Sequence, residues 1–175
     1  MKTKHSLTTK RLVTDAVCAA LYFALALISL PLGAMTISVK SLAVIVGALL
    51  FGPLDGLIIG VLGEFLYQLL SYGLSVTTPL WLLPSGLLGL VVGLYGMRKA
   101  FRPTALQAGI ASLLGLLLNT TVTTGVMWVD CQIYGYSFAA AYGTAIVWRY
   151  ISDVIKVVVY SLAIPPLIKA IRKIR

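Results

Sequence analysis

The chain has 175 residues, 59% hydrophobic and only 11% charged, with a mean hydropathy of +0.98. This composition leaves no room for a soluble catalytic domain and predicts an all-α integral membrane bundle, with residues 1–175 forming a single membrane domain. The formal net charge of +9 reads as the Lys and Arg excess of cytoplasmic loops, with some attraction to anionic lipid, and not as a nucleic-acid footprint.

The first ten residues are polar. The apolar run that follows lacks a small-residue cleavage site, so it is expected to be a span and not a signal peptide. Span 1 covers about 11–30. Its Ala16, Ala20 and Ala24, at i, i+4 and i+8, form a smooth strip that another helix backbone can approach closely; packing within the chain is the alternative use. Pro31-Leu32-Gly33 ends the span, and Gly33 to Ser38 is expected as an outer loop. Span 2, about 39–51, is roughly 20 Å long at 1.5 Å per residue, less than a hydrocarbon core. It needs shelter from its neighbours, or an irregular part lining a cavity. Lys40 stands at its outer end.

Gly52-Pro53 and Asp55-Gly56 then interrupt the apolar pattern. Proline lacks a donor and glycine loosens the backbone, so FGPLDG reads as a tight turn between two antiparallel spans or as a kink in one. The charge map selects the turn. Lys2, Lys4, Lys10 and Arg11, then Arg98, Lys99 and Arg102, then Lys169, Arg172, Lys173 and Arg175 all fall on one side only if the chain crosses six times. Both termini are then cytoplasmic. The turn also removes Asp55 from mid-bilayer, where it would cost roughly 2.5–3.5 kcal/mol.

Span 3, about 54–71, carries Gly56, Gly60 and Gly63 along one side, and Glu64 and Gln68 one helical turn apart. Residues 71–79 form a polar, uncharged loop. Span 4, about 80–97, has its own ladder of Gly86, Gly89, Gly93 and Gly96, with Trp81 at its outer edge. Span 5, about 105–128, holds Asn119 among four threonines and ends at Trp128. Asp130 to Gly143 is expected as the longest outer loop. Span 6, about 144–168, brings Arg149, Asp153 and Lys156 onto one face.

Charged side chains within spans face a cavity or a partner. Lys40, Glu64, Gln68, Trp81, Asn119, Trp128, Arg149, Asp153 and Lys156 are therefore the candidate lining of a pocket open to the outside, suited to a small ligand with a flat ring and an anionic group. The competing structural uses are an aromatic belt for the tryptophans and an internal Arg149–Asp153 ion pair. Nothing looks catalytic. His5 is the one histidine, Cys18 and Cys131 belong to no CxxC motif, and HExxH, GxSxG and P-loop patterns are absent. No metal, cofactor or enzymatic activity is expected, and any pumping requires an energised partner.

The segment GALLFGPLDGLIIGVLGEFL, the alanine strip of span 1, Leu118-Asn119 in span 5 and Arg149 opening span 6 together resemble the S component of an energy-coupling factor (ECF) vitamin transporter. The likeness covers about residues 11–170 and is strongest to the folate-type branch, where Gly-Pro-x-x-Gly joins spans 2 and 3 and an acidic residue, usually Asp, stands at the position of Glu64. The resemblance implies a substrate-binding subunit in a bacterial cell membrane that takes a water-soluble vitamin, folate first, from outside. It implies docking through Ala16, Ala20 and Ala24 on a membrane coupling protein with two ATP-binding subunits. The alternatives are an S component for another vitamin, such as pantothenate or pyridoxine, or a self-sufficient small-solute transporter or channel.

Overall fold

The computed structural model describes residues 9–32, 35–98 and 104–174. Six helices run through them: α1 (Thr9–Leu27), α2 (Ser41–Phe51), α3 (Pro53–Ser71), α4 (Thr78–Arg98), α5 (Ala105–Tyr134) and α6 (Phe138–Ile174). The polar start to residue 8, the basic residues Lys99, Arg102 and Arg175, and Gly33 of the first expected loop lie outside the described residues. Helices α3 to α6 are long and apolar enough to cross a membrane; α2 is a shorter apolar helix. Helix α1 has 19 residues but carries Lys10, Arg11 and Asp15 near its start, so its apolar stretch is shorter than the helix.

FGPLDG is a turn between two helices. Gly52 takes φ +113°, a conformation that side chains with a Cβ resist, and its N–H donates to the Ala48 carbonyl. Pro53 opens α3, where its missing N–H leaves no bond unmade. The two helices run back along each other: position 56 meets Ala48, and position 47 meets Ile59.

Two sequence expectations need correction. The expected loop after span 1 is a hairpin in which β1 (Ser29–Leu32) pairs antiparallel with β2 (Met35–Ser38), Ser29 opposite Ser38 and Leu32 opposite Met35. Helix α1 accordingly stops at Leu27, since Pro31 cannot serve a helix interior. The expected long loop from Asp130 to Gly143 is mostly helix. Helix α5 continues to Tyr134 and α6 starts at Phe138, and Gly135, with φ +72°, makes the turn.

Helices α3 and α4 touch backbone to backbone. A Cβ on Gly56 would stand 2.7 Å from the Gly89 carbonyl oxygen and 2.6 Å from the Ala48 Cβ. In lipid such contacts hold by close van der Waals packing, because there is no water to exclude. Short α2 sits at the centre, with Val44 and Ile45 fully buried. Around them pack Tyr22, Ile59, Leu88, Val92, Tyr160 and Ile164. This is the shelter that its length demands. Ser41 at its start bonds the Tyr160 hydroxyl of α6 at 2.9 Å. At the FGPLDG end, Arg11 of α1 donates to the Phe51 carbonyl at 3.2 Å and pairs with buried Asp55.

Candidate functional site

At the end away from FGPLDG, all six helices line a cavity of about 740 Å³. One wall is built around Glu64. The i, i+4 spacing on α3 places Gln68 beside it, and Gln68 Nε2 donates to Glu64 Oε1 at 3.1 Å. Lys40, in the turn before α2, reaches the other carboxylate oxygen at 2.7 Å. Its ammonium also lies 4.5 Å from the Tyr67 ring centroid and 5.4 Å from that of Tyr22, so two aromatic faces stabilise the cation. Ser85 of α4 donates to Glu64 at 3.3 Å, and the Tyr22 hydroxyl of α1 donates to it as well. Three helices, α1, α3 and α4, and the start of α2 thus meet at one carboxylate. Gly63 makes room for this: a Cβ there would stand 2.6 Å from the Tyr22 ring.

The opposite wall belongs to α5 and α6. Asp153 is buried, accepts from Thr120 of α5, and pairs with Lys156 at 3.1 Å. The Arg149–Asp153 ion pair, the competing structural use of this face, is not formed. One turn further on, Lys156 takes the carboxylate, and Thr120 holds its other oxygen. Among the described residues, the Arg149 guanidinium makes no hydrogen bond or ion pair, and neither does the Asn119 side-chain amide; both line the cavity. These two groups are where a ligand can add bonds without displacing existing ones.

The mouth is aromatic and hydroxylic, with Tyr72, Tyr134, Tyr142, Trp81 and Trp148 lining it. Asp130, near the end of α5, accepts from the Tyr136 hydroxyl and, at a long 3.4 Å, from the Trp81 indole N–H. The hydrogen bond to this carboxylate pushes the Tyr136 phenol up from its ordinary value, so it stays protonated and keeps donating.

Of the nine candidate residues, Lys40, Glu64, Gln68, Trp81, Asn119, Arg149, Asp153 and Lys156 line the cavity. Trp128 does not; it is 55% exposed on the outside of α5. Sequence reasoning missed Tyr22, Tyr67, Ser85 and Thr120. Tyr22 left one available signal, a hydroxyl within an apolar span that needs a partner. Ala16, Ala20 and Ala24 are exposed along α1, whereas Ala19 and Ala26 turn inward, so the strip is not used for packing among the described residues. Among the described residues, no three His, Cys, Asp or Glu side chains gather as a metal would require.

The sequence pattern of the family described as "ECF-type riboflavin transporter, S component" matches residues 6–173. A UPF0397 protein of Streptococcus pneumoniae (strain Hungary19A-6) is 34% identical over 161 residues, covering 89% of this chain and 74% of the relative. A second UPF0397 protein, from Streptococcus pneumoniae (strain Taiwan19F-14), is 33% identical with the same coverage. The match to the family pattern runs through all six helices, from before Thr9 to near the end of α6, and so the chain belongs to the ECF-type riboflavin transporter S component family.

Proposed function

We propose that the cavity captures a water-soluble vitamin of the riboflavin class, with a flat uncharged ring system and a hydroxylated tail. S components are transport subunits and not enzymes, and they work with a coupling protein and two ATPases. The observation that carries the ligand class is the charge pattern of the walls. Of the three cations lining the cavity, Lys40 is matched by Glu64 and Lys156 by Asp153, which leaves Arg149 without an ion pair among the described residues. A folate, the first guess from sequence, brings two carboxylates on its glutamate tail and would call for two such cations. A ring with neighbouring carbonyl oxygens suits the Arg149 fork, and Asn119 offers a donor and an acceptor to an N–H/C=O edge. Hydroxyls of Ser41, Thr77 and Thr123 in the lining favour a polyol tail. A volume of about 740 Å³ also falls in the range, roughly 300–1,000 Å³, of small-molecule sites.

In this reading the chain crosses a bacterial cell membrane six times. The end bearing Arg11, Arg98, Lys169 and Arg172 faces the cytoplasm, and the cavity faces out. The exposed Ala16, Ala20 and Ala24 strip docks on the coupling protein, since small side chains let two helix backbones meet. Titrating the purified protein separately with riboflavin, folate, pantothenate and pyridoxine, and following heat and tryptophan fluorescence, tests the ligand class. Riboflavin should bind at least tenfold more tightly than the others. Tighter binding of folate would overturn the charge argument, and ATP-independent uptake by the protein alone in liposomes would favour a self-sufficient transporter. Ala20→Trp should keep ligand binding but abolish uptake in cells.

A further inference from the structure

Away from the vitamin cavity, a second cavity of about 210 Å³ opens between α1, α2 and α6. Its character is different. Cys18, Leu21, Leu25, Val46, Leu50 and Leu167 dominate its walls, and it contains no charged side chain. An apolar cavity of about 150 Å³ already stays dry and takes up a small hydrocarbon. The groove follows α2 along its length, and α2 spans roughly 16 Å at 1.5 Å per residue. At one end it is bounded by Thr14, Phe51 and Ile171. That is the end where α6 displays exposed Lys169, Arg172 and Lys173. The acidic residues at this end of α1 and α3, Asp15 and Asp55, are withdrawn from the surface at 3% and 1% exposure. An apolar trough thus leads to a cationic rim with no competing surface carboxylate on α1 or α3.

We infer that this groove is a binding site for one acyl chain of an anionic phospholipid, whose phosphate sits among the basic side chains at the end of α6. The chemistry follows from the two parts together. The walls accept only hydrocarbon, and the rim favours a negative headgroup over a zwitterionic one, each nearby Lys or Arg adding to the attraction. The site is independent of the vitamin cavity, so its ligand is independent of the vitamin class proposed above.

The test is native mass spectrometry of protein extracted in mild detergent from bilayers of equal phosphatidylglycerol and phosphatidylethanolamine. The wild type should retain one phosphatidylglycerol. Cys18→Phe and Leu21→Phe, which fill the groove, should each lower that retention at least tenfold. Val17→Phe, one position away and 62% exposed, should leave it unchanged. Joint replacement of Lys169, Arg172 and Lys173 by Gln should erase the preference between the two lipids while the groove still holds a chain. Thermal unfolding followed by the protein's own tryptophan fluorescence checks that each variant is folded. Equal lipid retention in the groove-filled and wild-type proteins would overturn the proposal. So would protection of Cys18 from a lipophilic maleimide only after addition of the coupling protein, which would make the groove a protein interface.

Discussion

Glu64 on α3 and Arg149 on α6 face the same cavity, yet their surroundings differ. Glu64 accepts from Tyr22, Lys40, Gln68 and Ser85, whereas Arg149 has no hydrogen-bond or ion-pair partner among the described residues. The packing behind them differs in the same sense. Glu64 stands on helices that meet at their backbones through Gly56 and Gly89; on the other side, Gly115 of α5 packs on the Val92 side chain, while Gly125 on α5 and Gly143 on α6 have open space where a Cβ would point. One wall is a frame whose polar groups already satisfy one another. The other carries, on Arg149 and Asn119, hydrogen-bonding capacity that no described residue uses. Charge within a membrane span therefore marks two different roles, which the number of partners tells apart.

The largest expected effect comes from breaking the frame. Glu64→Ala removes the acceptor of four donors and leaves Lys40, only 26% exposed, without its counter-ion. Breaking a buried pair in this way costs on the order of 3–5 kcal/mol. The folded yield and melting temperature should fall sharply, with ligand binding lost as a consequence. Glu64→Gln keeps acceptors for Tyr22 and Ser85, so it should recover part of the stability. A melting temperature unchanged by Glu64→Ala would show that the network is not a frame.

Arg149→Ala should do the reverse. With no protein partner to strand, its melting temperature without ligand should stay near that of the wild type, while affinity falls. Losing a buried charged contact to a ligand typically costs about 2–5 kcal/mol, and each 1.4 kcal/mol or so is tenfold. Arg149→Lys should rescue only partly, because an ammonium lacks the planar fork. Asp153→Asn should fall between the two walls, weakening the tie to Lys156 and lowering stability by about 1–3 kcal/mol. Calorimetric titration beside thermal unfolding separates affinity from stability for each variant. A loss of stability in Arg149→Ala equal to that in Glu64→Ala would remove the contrast.

Much of this was legible in the chain because it depends on local spacing. Gly52-Pro53 marks the α2–α3 turn by backbone chemistry alone, and the i, i+4 pair Glu64 and Gln68 must share a face. The Arg149, Asp153 and Lys156 face was legible too, but not which cation Asp153 takes, since that depends on Thr120 fixing the carboxylate from 33 residues away. Tyr22 lies 42 residues from Glu64 and had no local signal pointing there. The hairpin escaped because Ser29–Leu32 and Met35–Ser38 are four residues each and as apolar as the span before them. The extension of α5 past Trp128 escaped because hydropathy marks what crosses lipid, not where a helix ends.

The smallest predicted effect concerns the tryptophans, which sequence position groups together at the span ends. Helix rotation separates them: Trp81 and Trp148 line the cavity, and Trp128 points away from it. An aromatic side chain stacked on a ligand ring adds roughly 0.5–1.5 kcal/mol beyond its buried area. Trp81→Ala and Trp148→Ala should therefore weaken binding several-fold, to about tenfold. Trp128→Ala should leave affinity unchanged, because its ring contributes to the outer surface of α5 and not to the cavity. Fluorescence gives an independent reading of the same geometry. Ligand quenching should persist in Trp128→Ala and shrink in the other two variants. Equal loss of affinity in all three would mean that the tryptophans act together as a belt holding the bundle in the membrane, and that the α5–α6 wall is not the ligand-reading side.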